Sequence, residues 1–401
     1  MKITAPGPVR MGLVSIIAAG LIGAISNLLV NTLPAYLTIV AHARGFIESE
    51  VGFCGTAEVG GIALGTVLSA MLPSVVARLN WRRTVGIGIA VLITGNLLSV
   101  YITDLYPFLA MRLVAGVGAG IALAVVYATF AEGDAARSMS MANVAQMAVG
   151  ALAIPSYTAI TQTHGVNGLF FALAGLGVLG LFAGWSLPAM SAREADAEAH
   201  AQHASEKISM AGWLAIASVF LFFIGCGCVY AYLGFMGIAW GSAESSVDQA
   251  MSMMMLASMT AAILVAVMGS RFGFVKPLAI GFAIISIVLV LFLLGKPQAS
   301  FSVGIALFGF SMSFIMPFHF EAVTKVDDSS SAAMLVSAAT LCGYAVGPTI
   351  AGFLVTPDFG LVNSAGLSFI ALSLVTLIHA TRMHKIDTQR LGMGAIPAVS
   401  M

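Results

Sequence analysis

Eight stretches of this 401-residue chain run for about twenty residues or more without a single Asp, Glu, Lys or Arg: 11–41, 84–103, 208–243, 249–270, 277–295, 297–320, 329–357 and 359–381. A helix needs about 20 apolar residues to cross the hydrocarbon core of a bilayer, so each stretch is long enough to span. Two more, 51–77 and 105–131, carry one interior charge each, Glu58 and Arg112. The stretch 138–192 is twice the needed length, and THGVNG at 163–168 supplies its turn, because Gly and Asn tolerate turn dihedrals. The expectation is twelve spans. Only 8% of the chain is charged and 59% is hydrophobic, with a mean hydropathy of +1.01. Soluble domains carry about 25% charged residues, so this chain lacks the material for a water-facing surface.

The charged run SAREADAEAHAQHASEK interrupts the pattern after the sixth span. It divides the chain into 1–190, a solvated linker at 191–208, and 209–401. The two flanks repeat one another. ARLNWRRTVGIGIA at 77–90 echoes in SRFGFVKPLAIGFA at 270–283, and a constant shift of 193 (271 − 78, or 348 − 155) also places Gly116 on Gly309, Gly150 on Gly343 and Pro155 on Pro348. A fixed shift over that length means two units of the same build in parallel orientation. With the N-terminus cytoplasmic, the inside segments hold fourteen Lys and Arg, and the outside segments hold Arg44 and Lys296. That asymmetry predicts cytoplasmic N- and C-termini. Lys2 and Arg10 precede an apolar run reaching about residue 40, too long for the roughly 7–15-residue core of a signal peptide, so a retained span is expected. Zero net charge gives no ground for nucleic-acid binding. The four cysteines, Cys54, Cys226, Cys228 and Cys342, form neither a disulfide framework nor a zinc signature.

Twelve spans in a six-plus-six parallel repeat, with a basic loop after spans 2 and 8, resemble the major facilitator superfamily. The loops at Arg78–Arg83 and Arg271–Lys276 look like its signature loop, although Ala77 and Ser270 stand where the family has an Asp. RLVAGVGAG, from Arg112 through Gly116 to Gly120, resembles its span 4 motif. GYAVGPTIAG, with Gly343, Gly347 and Pro348, resembles the Gly-Pro motif that proton antiporters carry in span 5. The resemblance implies an all-α membrane protein of two six-helix bundles that moves a small solute by alternating access, with spans 1, 4, 7 and 10 lining the cavity. The expected partners are the lipid bilayer, the solute and protons. The chain is expected to act as a monomer in a bacterial inner membrane, with no cofactor and no enzymatic activity. Glycines on spans 4 and 11 read first as close-packing positions and second as smooth faces for rocking helices.

Charge buried in lipid is expensive and usually functional. Glu58 lies eight residues past Glu50, and Arg112 eight past Asp104. At about 1.5 Å per residue each sits roughly 12 Å below the outer boundary, near the midplane of a core about 30 Å thick. Two charges at one level should pair, and Glu58 with Arg112 is the expected proton-coupling centre, against a static bridge between spans 2 and 4. Arg112 among so few acids favours an organic anion such as a carboxylate as solute. Proton-driven efflux of drugs or metabolites is the runner-up. His319, near the cytoplasmic end of span 10, is a further proton-coupling candidate because its charge changes near neutral pH. Asn27, Asn31 and Tyr36 in span 1, Tyr230 and Tyr232 in span 7, and Tyr344 in span 11 are candidates for solute contact. MSMMMLASM puts Met251, Met255 and Met259 on one face of span 8. Thioethers suit Cu(I), which makes copper import an alternative, but Met is also a flexible packer and no His accompanies the cluster.

Overall fold

A computed structural model describes residues 13–71, 80–131, 135–187, 207–269, 271–294 and 298–393. Their regular structure is helical throughout, with eleven helices long and apolar enough to cross a membrane. One of the eleven contributes two spans. The helix Ala135–Gly184 reverses at Gly165, where φ is 67° and ψ is −178°, inside the turn the sequence marks. Spans 5 and 6 are its two legs, and the total is twelve.

The other spans follow in order. Span 1 is a broken helix, Leu13–Asn31 then Leu33–Arg44, with Pro34 opening the second piece, where its missing N–H costs nothing. Span 7 is broken in the same way, into Met210–Tyr230 and Leu233–Ala239. Spans 2, 3 and 4 are Glu48–Met71, Trp81–Tyr101 and Leu105–Ala131. Spans 8 to 12 are Glu244–Met268, Val275–Leu294, Gln298–Val326, Ser330–Leu354 and Gly360–Met393.

Small residues set the packing, because helices in lipid gain no apolar drive toward one another and must touch closely to bind. The glycines of span 4 do not form one stripe. Gly116 and Gly120, one turn apart, lie on the backbone of span 2 at Glu58, Gly61 and Ile62. Gly118 faces the other way, onto Gly88 and Leu92 of span 3. Two residues on a helix are about 200° apart, which separates the faces. In span 11, Gly343 and Gly347 pack on span 7 at Phe220, Ile224 and Cys228, whereas Pro348 faces Gly52 and Gly55 of span 2.

The last contact joins the two halves, and the junction gathers at one end. We call the end bearing Arg44, Glu48 and Asp104 the outer end. There Tyr230 donates to the carbonyl of Asn31, and Tyr232 donates to that of Glu48 at 2.8 Å. Thr158 donates to Asp248 at 2.5 Å, and deeper, near the level of Glu58, Thr56 Oγ1 donates to the Ala345 carbonyl at 2.6 Å. The buried core has the same shape. One cluster fills spans 7–12 and continues into the outer part of the first half through Leu37, Val51, Phe108, Ile154 and Phe170. A separate cluster, with Ile22, Ile62, Val85, Ala119 and Val126, holds the inner part of the first half, and Leu341 of the second half borders it. The halves are fused at the outer end and part toward the inner one.

The inner ends are tied within each half. Arg82 Nε donates to the carbonyl of Leu187 at 2.6 Å, joining the start of span 3 to the end of span 6. Asn80 caps span 3 by accepting from the backbone of Arg83. The side chains of Arg83, Arg271 and Lys276 are exposed. Arg78, Ala77, Ser270 and linker residues 191–206 lie outside the described residues. In the second half, Asp327 clasps two helix starts. One oxygen accepts from the N–H and hydroxyl of Ser209, the other from the N–H and hydroxyl of Ser329. Burial pushes the Asp327 carboxyl up, but these four bonds outweigh it and hold the group below the usual carboxylate range. Gly212 makes room, since a Cβ there would run into the carboxylate.

Candidate functional site

The close approach of spans 2 and 4 over Gly61, Gly65, Gly116 and Gly120 brings Glu58 to Arg112. Their charged groups lie 3.5 Å apart with side chains 2% and 0% exposed. The guanidinium has further partners on span 3: the Gly95 carbonyl at 2.8 Å, Asn96 Oδ1 at 3.0 Å and Ser99 Oγ at 2.7 Å. The rings of Phe108 and Phe170 close over it at 5.7 and 5.1 Å. Arg112 is thus sealed inside the first half, bonded to spans 2 and 3 and roofed by aromatic rings.

Glu58 is less well served. Its Oε2 has Arg112 at 3.5 Å and makes no hydrogen bond, and Ser26 Oγ nearby makes none either. Glu58, Ser26 and Asn96 line a void of about 10 Å³ among Leu28, Leu92 and Leu173, at the lower limit for a single water. Tyr36, fully buried, is within electrostatic range of Glu58 and Arg112, and its hydroxyl has no hydrogen-bond partner of ordinary geometry. The arrangement gives a carboxylate a choice of two states. With Arg112 it is held charged, and in its apolar pocket it is stabilised when neutral.

A second group of polar side chains is uncharged and lies between spans 1, 4 and 5. Asn27 Nδ2 donates to Gln146 Oε1 at 3.1 Å and approaches the Tyr127 hydroxyl at 3.4 Å. Tyr127 is 39% exposed. Asn31 stands one turn beyond Asn27, and its Nδ2 has no partner. Tyr230 and Tyr344 of the second half pack with ring centroids 5.6 Å apart opposite Asn31. Tyr232 is different: its hydroxyl is engaged with Glu48 at the closed outer end, so it belongs to the junction between halves.

His319 is fully buried in the second half. Its Nε2 meets Ser218 Oγ at 2.8 Å, Ser218 and Ser373 exchange hydrogen bonds, and Phe222 and Phe282 flank the ring. Nδ1 has no partner. The methionine face of span 8 looks onto the other half. Met255 lies against Gly150 of span 5, and Met251 lines a cavity of about 290 Å³ at the outer end with His42, Thr158, Gln162, Glu244 and Asp248. Cys228 is occupied elsewhere, donating to the Gly347 carbonyl at 3.2 Å.

Sequence reasoning missed Asn96, Ser99, Tyr127, Gln146 and Thr56. Asn96 and Ser99 had a signal, two polar residues three apart in an apolar span, which shares a helix face. Tyr127, Gln146 and Thr56 had none, because single polar residues in spans are common and only the neighbouring helices decide where they point.

The chain has the major facilitator fold. It superposes on the xylose transporter of E. coli in a partially occluded inward-open conformation, with a TM-score of 0.67 at 14% identity over 89% of this chain and 96% of that one. It superposes on a D-xylose–proton symporter with a TM-score of 0.66 at 15% identity, over 90% and 96%. A nucleoside transporter gives 0.68 at 12% identity, over 92% and 99%. No family model and no curated protein matches the sequence.

Proposed function

We propose that this chain, built on the fold those transporters share, is a secondary transporter and not an enzyme, and that it carries a small organic solute across a bacterial plasma membrane by proton-coupled alternating access. The observation that carries the reading is the one-ended junction. Two halves of repeated build touch at the outer end through Tyr230, Tyr232, Thr158 and the Gly52–Pro348 contact, with Thr56 deeper, and their core divides toward the inner end. A structure of that kind exchanges which end is closed by rocking one half on the other around a fixed central site. With the basic residues inside, the open end faces the cytoplasm.

Glu58 is the proton site in this reading. A carboxylate at mid-depth with one charged partner and an unbonded oxygen gains a proton at small structural cost. Arg112 then tunes that proton and stays bonded to span 3. The anion reading of the solute required Arg112 to reach it. A guanidinium with no exposed surface and four partners of its own gives that reading no support. Uptake and efflux use the same parts, so the direction of solute flux with an imposed proton gradient separates symport from antiport.

The test is accumulation in proteoliposomes. Glu58→Gln should abolish gradient-driven accumulation while solute exchange without a gradient persists. Accumulation at the wild-type level and pH optimum in that variant would remove Glu58 from the coupling.

A further inference from the structure

Resting on that transport reading, we infer that the solute is an uncharged molecule bearing hydroxyl or amide groups on a compact ring, held by a belt of Asn27, Asn31, Tyr127, Gln146, Tyr230 and Tyr344.

Charge argues first. An anionic solute needs a cation to replace its hydration, and the cation at mid-depth is withdrawn. Arg112 gives Nη1 and Nη2 to Gly95, Asn96, Ser99 and Glu58, and its Nε, although without a partner, is buried with the rest of a side chain that has no exposed surface, behind Phe108 and Phe170. Drawing it out would leave the Gly95, Asn96 and Ser99 acceptors unpaired in a buried site, which is costly. A cationic solute fares no better, since Glu58 is sealed by the same contacts. Glu321 sits five residues from the inner end of span 10, away from the belt.

Position argues second. Gln146 lies one turn inward of Gly150, on the face of span 5 that meets Met255 of the second half. Asn27 reaches it from span 1 and approaches Tyr127 of span 4 with the same amide nitrogen. Asn31, on the same face of span 1 as Asn27, meets Tyr230 where the outer junction begins. The belt therefore climbs from Tyr127, open at 39% exposure, to a roof made by Asn31 and Tyr230. It contains three carboxamides and three phenols. Carboxamides both donate and accept, phenols donate and offer a ring face, and neither kind carries charge. The free Nδ2 of Asn31 is a buried donor with nothing to donate to, which an acceptor on a solute would satisfy. On span 8, Met259 follows Met255 by one turn, which puts a flexible apolar face of the second half at the level of Gln146. Neutral donors and acceptors on one wall with polarizable surface on the other suit a ring with polar substituents, and reject a carboxylate.

The experiment uses matched ring pairs that differ in one carboxylate: D-glucose with D-glucuronate, D-galactose with D-galacturonate, nicotinamide with nicotinate, and benzamide with benzoate. Each is titrated against the purified protein in detergent, with the melting temperature as readout. A neutral member should raise the melting temperature where its carboxylate partner does not. Tyr127→Phe and Gln146→Leu, each first shown to melt at the wild-type temperature without probe, should weaken that binding about tenfold. Stabilisation by the carboxylate member of any pair, or by neither member of all four, would overturn the inference, as would undiminished binding in both variants. Counterflow of the bound probe in proteoliposomes separates this inference from the one it rests on. A neutral probe that binds through the belt but is not carried refutes transport and leaves the solute class standing. A carboxylate that is carried refutes the class and leaves transport standing.

Discussion

The two halves of this molecule share a helical plan and differ in what they bury. In the first half, Glu58, Arg112, Asn96 and Ser99 form a charged knot joining spans 2, 3 and 4. Adding 193 to each position leads to Met251, Ile305, Leu289 and Phe292, all buried and all apolar. The second half has a knot of its own, in which His319 and Ser373 join through Ser218. Subtracting 193 from His319 and Ser373 leads to Val126 and Gly180. The glycines behave differently. Gly88 of span 3 packs on span 4 and its counterpart Gly281 of span 9 packs on span 10, while Gly116 packs on span 2 and Gly309 on span 8. The glycines between neighbouring spans are repeated, and the buried polarity is not. Close contacts are needed wherever helices cross in lipid, whereas a buried charge costs several kcal/mol or more and persists only where something requires it.

The comparison breaks most sharply at Arg112. Arg112→Leu strips Glu58 of its charged partner and leaves the Gly95, Asn96 and Ser99 acceptors unpaired in the core, and should cost about 3–5 kcal/mol of stability. The double variant Glu58→Met with Arg112→Ile writes the second half's residues into the first. It should recover part of that loss and show no gradient-driven accumulation. Thermal unfolding checks the first part and proteoliposome uptake the second. A double variant less stable than Arg112→Leu would mean that the two knots are not interchangeable packing solutions.

A smaller effect is expected at the junction. Gly52→Ala places a methyl group on the Pro348 carbonyl, and overpacking of that kind costs about 1–3 kcal/mol. Rocking the halves apart at the outer end would break this contact, so the variant should favour the outward-open state. Faster alkylation of a cysteine placed at Thr38, which is buried against Gly234 at the outer junction, is the readout. An unchanged rate would mean the contact can widen without opening the junction.

His319→Gln keeps a hydrogen-bonding group beside Ser218 and removes the titration. It should shift the pH optimum of transport with little change in melting temperature. If the profile does not move, the second knot is purely architectural.

The smallest effect belongs to Asp327. Its carboxyl is held below the usual range, so its contribution is fully present above the ordinary carboxylate pKa of about 4 and is lost as the pH falls through the lower folded value. Asp327→Asn should therefore lower the melting temperature by a few degrees near neutral pH. The gap between wild type and variant should begin to narrow as the pH falls below about 4, and should close only below the lower folded value. A gap that does not narrow at all as the pH is lowered would assign the clasp to shape alone.

The architecture was legible because it is set by one-dimensional quantities. Lengths of uncharged sequence give the spans, and THGVNG contains Gly165, where the long helix reverses. The pairing of Glu58 with Arg112 was legible too, since depth is countable along a helix and a buried charge needs a partner. What the sequence could not state is direction. Gly116, Gly118 and Gly120 look like one stripe in a string and face two neighbours in space. Arg112 reads as a cation awaiting an anion, but the tertiary structure gives it Asn96, Ser99 and Gly95 and covers it with Phe108 and Phe170. Tyr127 and Gln146 look unremarkable until span 1 carries Asn27 between them. The physical reason is common to all three. Hydrophobic length and charge depth are properties of a segment, while the side from which a side chain is solvated depends on which other helices stand beside it, and only the assembled bundle supplies those.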